Sequence, residues 1–159
     1  MFSFLAHIIR FCENKGPIRD DHPSLLPFCR TLEDVLKTGL RGHAMSKFTG
    51  LVQYTYWEWL SDLQKSYSTF QMGSPMQIPF ADWSEGELLL RCLLNKNLVS
   101  KSINLLRKHK RLLCQYYNEI SIVRDDVLAE LLISLLLPLE TTAKFSLNSQ
   151  QLQFSRWNF

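Results

Sequence analysis

The stretch Ser24 to Arg41, SLLPFCRTLEDVLKTGLR, restricts the fold more than any other part of the chain, because its apolar residues repeat at helical spacing and the repeat stops on a glycine. Leu25, Phe28, Leu32, Val35 and Leu36 run close to the i, i+3, i+4, i+7 series of a helix laid on a core. Pro27 falls in the first turn, where its missing N–H leaves no helical bond unmade. Gly39 is placed to take the left-handed conformation that ends a helix, so Leu40 and Arg41 are expected to project from that end. The pattern predicts a helix and names no reaction.

The rest of the chain reads as more of the same architecture. Phe2 to Glu13 has the spacing of a first amphipathic helix, and the turn signals Gly16-Pro17 and Asp20-Asp21-His22-Pro23 separate it from the helix above. A second break is expected over Gly42 to Lys47. Thr49 to Tyr67 then carries Leu51, Tyr54, Trp57, Leu60 and Leu63 at steps of three, which predicts a helix with an aromatic face. Ser68 to Trp83, with Gly73, Pro75 and Pro79, reads as the longest irregular connection. Ser84 and Glu87 have capping-box spacing at the start of the leucine-rich helix that Asn95-Lys96-Asn97 interrupts.

Leu98 to Lys108 and Lys110 to Tyr117 follow as two helical segments, with Leu98, Ile103, Leu105, Leu106, Leu112, Leu113, Tyr116 and Tyr117 as the expected buried set. Asp125 or Asp126 is placed to cap a helix from Val127 to Leu137, which Pro138 should end. The tail holds Phe154, Trp157 and Phe159, large apolar groups expected to pack back on the domain. The expected fold is all-α: a single domain over 1–159 with about seven or eight helices.

Composition bounds the function. A chain of 159 residues with 46% hydrophobic residues can bury the core of one ordinary domain. A net charge of +3 permits contact with anionic lipid or an acidic protein face, while the dispersed basic residues give no expectation of nucleic acid binding. The cysteines Cys12, Cys29, Cys92 and Cys114 lie far apart without zinc spacing and read as reduced, buried thiols. The start of the chain lacks a basic leader region and has Arg10 inside its apolar run, so secretion is not expected. The longest apolar run, Leu131 to Leu139, is too short to cross a bilayer, and a soluble or at most peripheral protein is expected.

Catalytic signatures are missing from the sequence: it has no phosphate-binding glycine loop, nucleophile elbow, metalloprotease helix or calcium loop. His7, His22, His43 and His109 are isolated from the convergent partners that acid–base chemistry needs. Two features read as interaction surfaces. One is the basic run Arg107-Lys108-His109-Lys110-Arg111, which Lys96 and Lys101 would join if the flanking helices pack as an antiparallel pair. The other is the aromatic group Tyr54, Tyr56, Trp57 and Trp59, whose members cannot all face one core because helical neighbours diverge by about a hundred degrees.

In order and spacing these blocks resemble the RUN domain family. PFCRTLEDVLKTGLR is similar to the family's first hallmark helix, ending here in Gly39-Leu40-Arg41. Tyr56-Trp57 resembles the aromatic-Trp pair that opens a later helix. LLLRCLLNKNLVSKSINLL is similar to the leucine-rich basic block, RLLCQYYNEISIV to the segment ending in an aromatic-Tyr pair, and DDVLAELLISLLLPL to the acid-capped apolar helix. One departure is acidic: Ser84-Glu85-Gly86-Glu87 stands where many members carry a Gly-Arg-Gly-Arg-like stretch.

The resemblance implies an all-helical, non-catalytic adaptor that needs no cofactor or metal and binds a small GTPase of the Rab, Rap or Arl type in organelle trafficking. A motor protein, or peripheral contact with anionic membrane, is the alternative partner. Such a module normally sits in a longer cytoplasmic protein, so a segment or short form is expected. By analogy Arg41, Lys47, Arg91, Lys96 and Lys101 are expected to meet an acidic or polar switch surface, with Trp59 as aromatic anchor. A membrane-bound reading would instead use the first helix, where Phe2, Phe4, Leu5, Ile8, Ile9 and Phe11 supply apolar area.

Overall fold

In the computed structural model, which describes residues 2–46, 50–66 and 85–147, seven helices and one small hairpin alternate along the chain. The helices are α1 (Phe2–Lys15), α2 (Leu25–Lys37), α3 (Tyr56–Ser66), α4 (Glu85–Asn95), α5 (Val99–Lys108), α6 (Lys110–Tyr116) and α7 (Asp126–Thr142), with strands β1 (Gly42–Ser46) and β2 (Gly50–Gln53) between α2 and α3. The periodic stripe of α2 forms for the reason its sequence gives. Leu25, Phe28, Leu32 and Leu36 are buried, and Val35 packs at their edge. α2 lies against α1 on one side and α4 on the other, α5 lies along α7, and α1 closes the assembly against α7. Ile8 of α1, Ile18 of the following loop and Leu136 and Leu139 of α7 share that core.

The chain leaves α2 as expected. Gly39 has φ +77, and a Cβ there would lie 2.7 Å from the Ser121 side chain and 2.8 Å from Asn118 Oδ1, so both conformation and space demand glycine. Beyond it the backbone is extended and paired on both sides. Arg41 N donates to the Tyr116 carbonyl at 2.8 Å, Asn118 N to the Gly39 carbonyl at 2.8 Å, and Tyr54 N to the Arg41 carbonyl at 2.8 Å.

Three elements differ from their sequence pattern. Gly42 to Ser46 is a strand rather than a break, and its antiparallel partner Gly50–Gln53 occupies the first part of the stretch whose steps of three predict one helix. Helix α3 therefore starts at Tyr56. Gly50 and the β-branched Val52 and Thr55 disfavour helix, and pairing with β1 satisfies the backbone instead. α7 runs through Pro138 to Thr142, because loss of one N–H is offset by burying Leu139 and Ala143 beyond it. α7 begins where its acidic pair predicts, with the Asp125 carboxylate accepting from Leu128 N at 2.8 Å.

Asn97, at φ 53, turns the chain between α4 and α5. The Asn95 side chain then ties down the segment after α7, accepting from Leu147 N and donating to the Leu147 carbonyl, both at 3.0 Å. Ser84 of the expected capping box, the connection at 68–83 and the tail aromatics Phe154, Trp157 and Phe159 lie outside the described residues.

Candidate partner-binding surface

The aromatic blocks build the centre of the molecule. Trp59 is 1% exposed, and its indole N–H donates to the Tyr117 hydroxyl at 3.0 Å. That hydroxyl in turn donates to the Leu36 carbonyl at 2.7 Å, near the end of α2. Burial drives the Tyr117 phenol well above its ordinary pKa and outweighs the opposing bond from Trp59, so the group is a fixed neutral donor. Tyr56 donates to Glu33 at 3.2 Å, and Lys37 closes on the same carboxylate at 3.1 Å. The start of α4 is pressed against this pair, since a Cβ on Gly86 would overlap the Tyr56 hydroxyl and stand 2.6 Å from Glu33. At the other edge Tyr116 donates to Asp62 at 2.6 Å and packs edge-on against Tyr54.

These contacts correct part of the expected site. Trp59 is a core residue rather than a surface anchor, because the hydrogen bond to Tyr117 gives its polar edge a partner inside. Arg91, expected to be exposed, is 3% exposed, with its guanidinium 3.5 Å from Asp20 and 3.5 Å from the Glu87 carbonyl. Its role is to join α4 to the loop before α2. Of the remaining cations, Lys47 lies outside the described residues. Lys96 and Lys101 are exposed at the start of α5.

The basic run is divided by its own fold. His109 alone separates α5 from α6, too short a joint for an antiparallel hairpin of helices, so Lys96 and Lys101 stay at the far end of α5. Arg107 turns to α7, with Asp126 at 2.9 Å and Glu130 at 2.5 Å. Lys108, Lys110 and Arg111 remain exposed at the joint.

Arg41 has a neighbour that sequence reading missed. The Tyr117 carbonyl accepts from Arg41 Nε at 3.0 Å and from Arg124 Nη1 at 3.2 Å. Two guanidinium groups thus converge on one neutral oxygen, and among the described residues neither has a carboxylate in ion-pair contact. Two like charges held this close favour an anion between or beside them. The rest of the basic joint lies at the same end of the molecule. The Arg107 contacts tie the end of α5 to the start of α7, Arg124 lies two residues before α7, and the seven-residue α6 places Lys110 only about 10 Å from Tyr116. Nothing in the local sequence around Arg124 marks it, since only the fold brings it to Arg41.

Burial also separates the cysteines. It pushes the Cys29 thiol up to about 12 and the Cys92 thiol up to about 11, whereas Cys114 is exposed on α6, unlike the buried role its apolar surroundings predict. No cluster of side chains suited to a metal ion occurs among the described residues, and no helix among them is long and apolar enough to cross a membrane. The family model of the RUN domain matches residues 27–151. No curated protein matches the chain significantly.

Proposed function

Because this chain belongs to the RUN domain family, a protein-interaction module associated with small-GTPase effector and adaptor roles, we propose that it is a non-catalytic adaptor that binds a small GTPase of the Rab, Rap or Arl type in organelle trafficking. The match across 27–151 carries the reading. Arg41 and Arg124 supply its contact point, with Lys108, Lys110 and Arg111 extending a cationic field around the same end. A carboxylate on the partner's switch surface would replace the shared carbonyl as the ligand of the two arginines, and exposed lysines would speed encounter with an acidic face. Lys96 and Lys101 form a separate, secondary patch in this reading.

The test is capture of purified chain by a panel of small GTPases, each loaded with GDP or a non-hydrolysable GTP analogue. Selective capture by a GTP-loaded member, lost in Arg41→Glu and Arg124→Glu but kept in Lys101→Glu, supports the proposed surface. Loss in Lys101→Glu alone would move the contact to the start of α5. No capture by any member would overturn the GTPase reading.

A further inference from the structure

His22 holds the joint at which the chain passes from α1 to α2, and it does so through a nitrogen that must stay unprotonated. Pro23 has no N–H, so the first amide on the way into α2 belongs to Ser24, and it donates to His22 Nδ1 at 3.2 Å. The next amide, of Leu25, donates to the His22 carbonyl at 3.0 Å. The Ser24 side chain makes no capping bond, so these two bonds to His22 order the entry to the helix. The half-buried imidazole also meets the Phe11 ring of α1 edge-on, with centroids 4.6 Å apart.

A backbone N–H can only donate, so Nδ1 offers its lone pair and the neutral ring carries its proton on Nε2. Acid can protonate that ring only at Nδ1, which turns the acceptor into a second donor facing the Ser24 N–H. Solvent reaches the ring through a cavity of about 330 Å³ lined by Phe11, Pro17, Arg19, Asp21, His22 and Pro23. The charged neighbours divide. Asp21, exposed beside the ring, favours the imidazolium, whereas His7, one turn before Phe11 on α1, opposes it. Arg19 faces the same cavity, and Asp20, the other acid of this loop, is turned to Arg91 of α4 at 3.5 Å. Burial outweighs Asp21, which holds the His22 pKa below its ordinary value.

We propose that His22 is an acid-labile clasp between α1 and α2: protonation removes the acceptor for the Ser24 N–H, adds positive charge beside His7 and Arg19, and loosens the docking of α1. A folded-state pKa below the unfolded value of about 6.5 means that the clasp contributes fully above that pH and is lost as the pH falls through the folded value. His22 lies before the stretch 27–151 that matches the family model, so the clasp ties α1, outside that stretch, to α2. It does not depend on what binds at Arg41 and Arg124.

Nuclear magnetic resonance of the imidazole nitrogens in the unaltered chain, between about pH 8 and about pH 5, tests the proposal. His22 is expected to titrate below its ordinary value. As it does so, the Ser24 and α1 amides lose protection from hydrogen exchange beyond the change in intrinsic rate, by tenfold for each unit of pKa depression. In His22→Asn, whose side-chain oxygen accepts from the amide two residues on at every pH, protection of the Ser24 amide should stay constant over the range. A titration at or above about 6.5, or protection that does not fall with it, overturns the proposal, and both are read without the variant. An equal acid-induced loss of protection in His22→Asn overturns it too, since the sensitive group would then lie elsewhere.

Discussion

Tyr117 joins three parts of the chain through two of its atoms. Its hydroxyl links Trp59 of α3 to the end of α2, and its carbonyl holds Arg41 and Arg124. Replacing Tyr117 by Phe leaves the Leu36 carbonyl and the Trp59 N–H without their partner in a closed core, which should destabilise the fold by about 2–4 kcal/mol. Urea unfolding followed by tryptophan fluorescence measures it. Gly39→Ala is expected to be at least as harmful. A left-handed alanine costs about 1 kcal/mol, and the added Cβ must also displace Ser121 and Asn118, raising the total above about 2 kcal/mol on the same measurement. The thiols give a chemical check. In the folded protein at mildly alkaline pH, alkylation should mark Cys114, while Cys29 and Cys92 react only after denaturation, as peptide mass mapping would report.

At the scale of elements, the hairpin and Pro138 show what decides a boundary. The residues of β2 share helical spacing with α3, but a strand partner at Gly42–Ser46 takes their backbone groups. Pro138 removes the N–H that would bond the Ser134 carbonyl, yet α7 continues because its final turn carries buried Leu139. Thr141 lies on that turn and donates from its hydroxyl to the Leu137 carbonyl at 3.1 Å. Pro138→Ala should therefore stabilise the protein, by about 1–3 kcal/mol, without altering the fold. Thermal unfolding followed by circular dichroism would show a raised midpoint, and a lowered midpoint would mean that the proline shapes the packing of the last turn.

For the whole molecule, α1 is the telling element because it precedes the matched stretch at 27–151 yet packs on α2 and α7. Ile8 is fully buried and Ile9 and Phe11 pack at the core edge, so α1 offers those groups to the protein interior rather than to a membrane. Deletion of residues 1–15 is expected to abolish the cooperative unfolding transition, measured by urea titration, with no selective loss of liposome binding by an intact fold.

The amino-acid sequence determined those helices and ends that depend on spacing or on a single residue: the stripe of α2, the glycine at its end and the aspartate before α7 all act locally. It also carried the family, because the hallmark blocks are the very residues that knit the core, from Gly39-Leu40-Arg41 to Tyr116-Tyr117. Only the tertiary structure decided which polar and aromatic groups reach solvent. Trp59 and Arg91 have surface-like patterns but find partners inside, and Val127, Leu131 and Leu137 of α7 have a core-like pattern but stand outside. Arg41 and Arg124 become neighbours through contacts between residues far apart in the chain. Local periodicity records that a side has character, while burial and charge proximity arise from which sides the packing brings together.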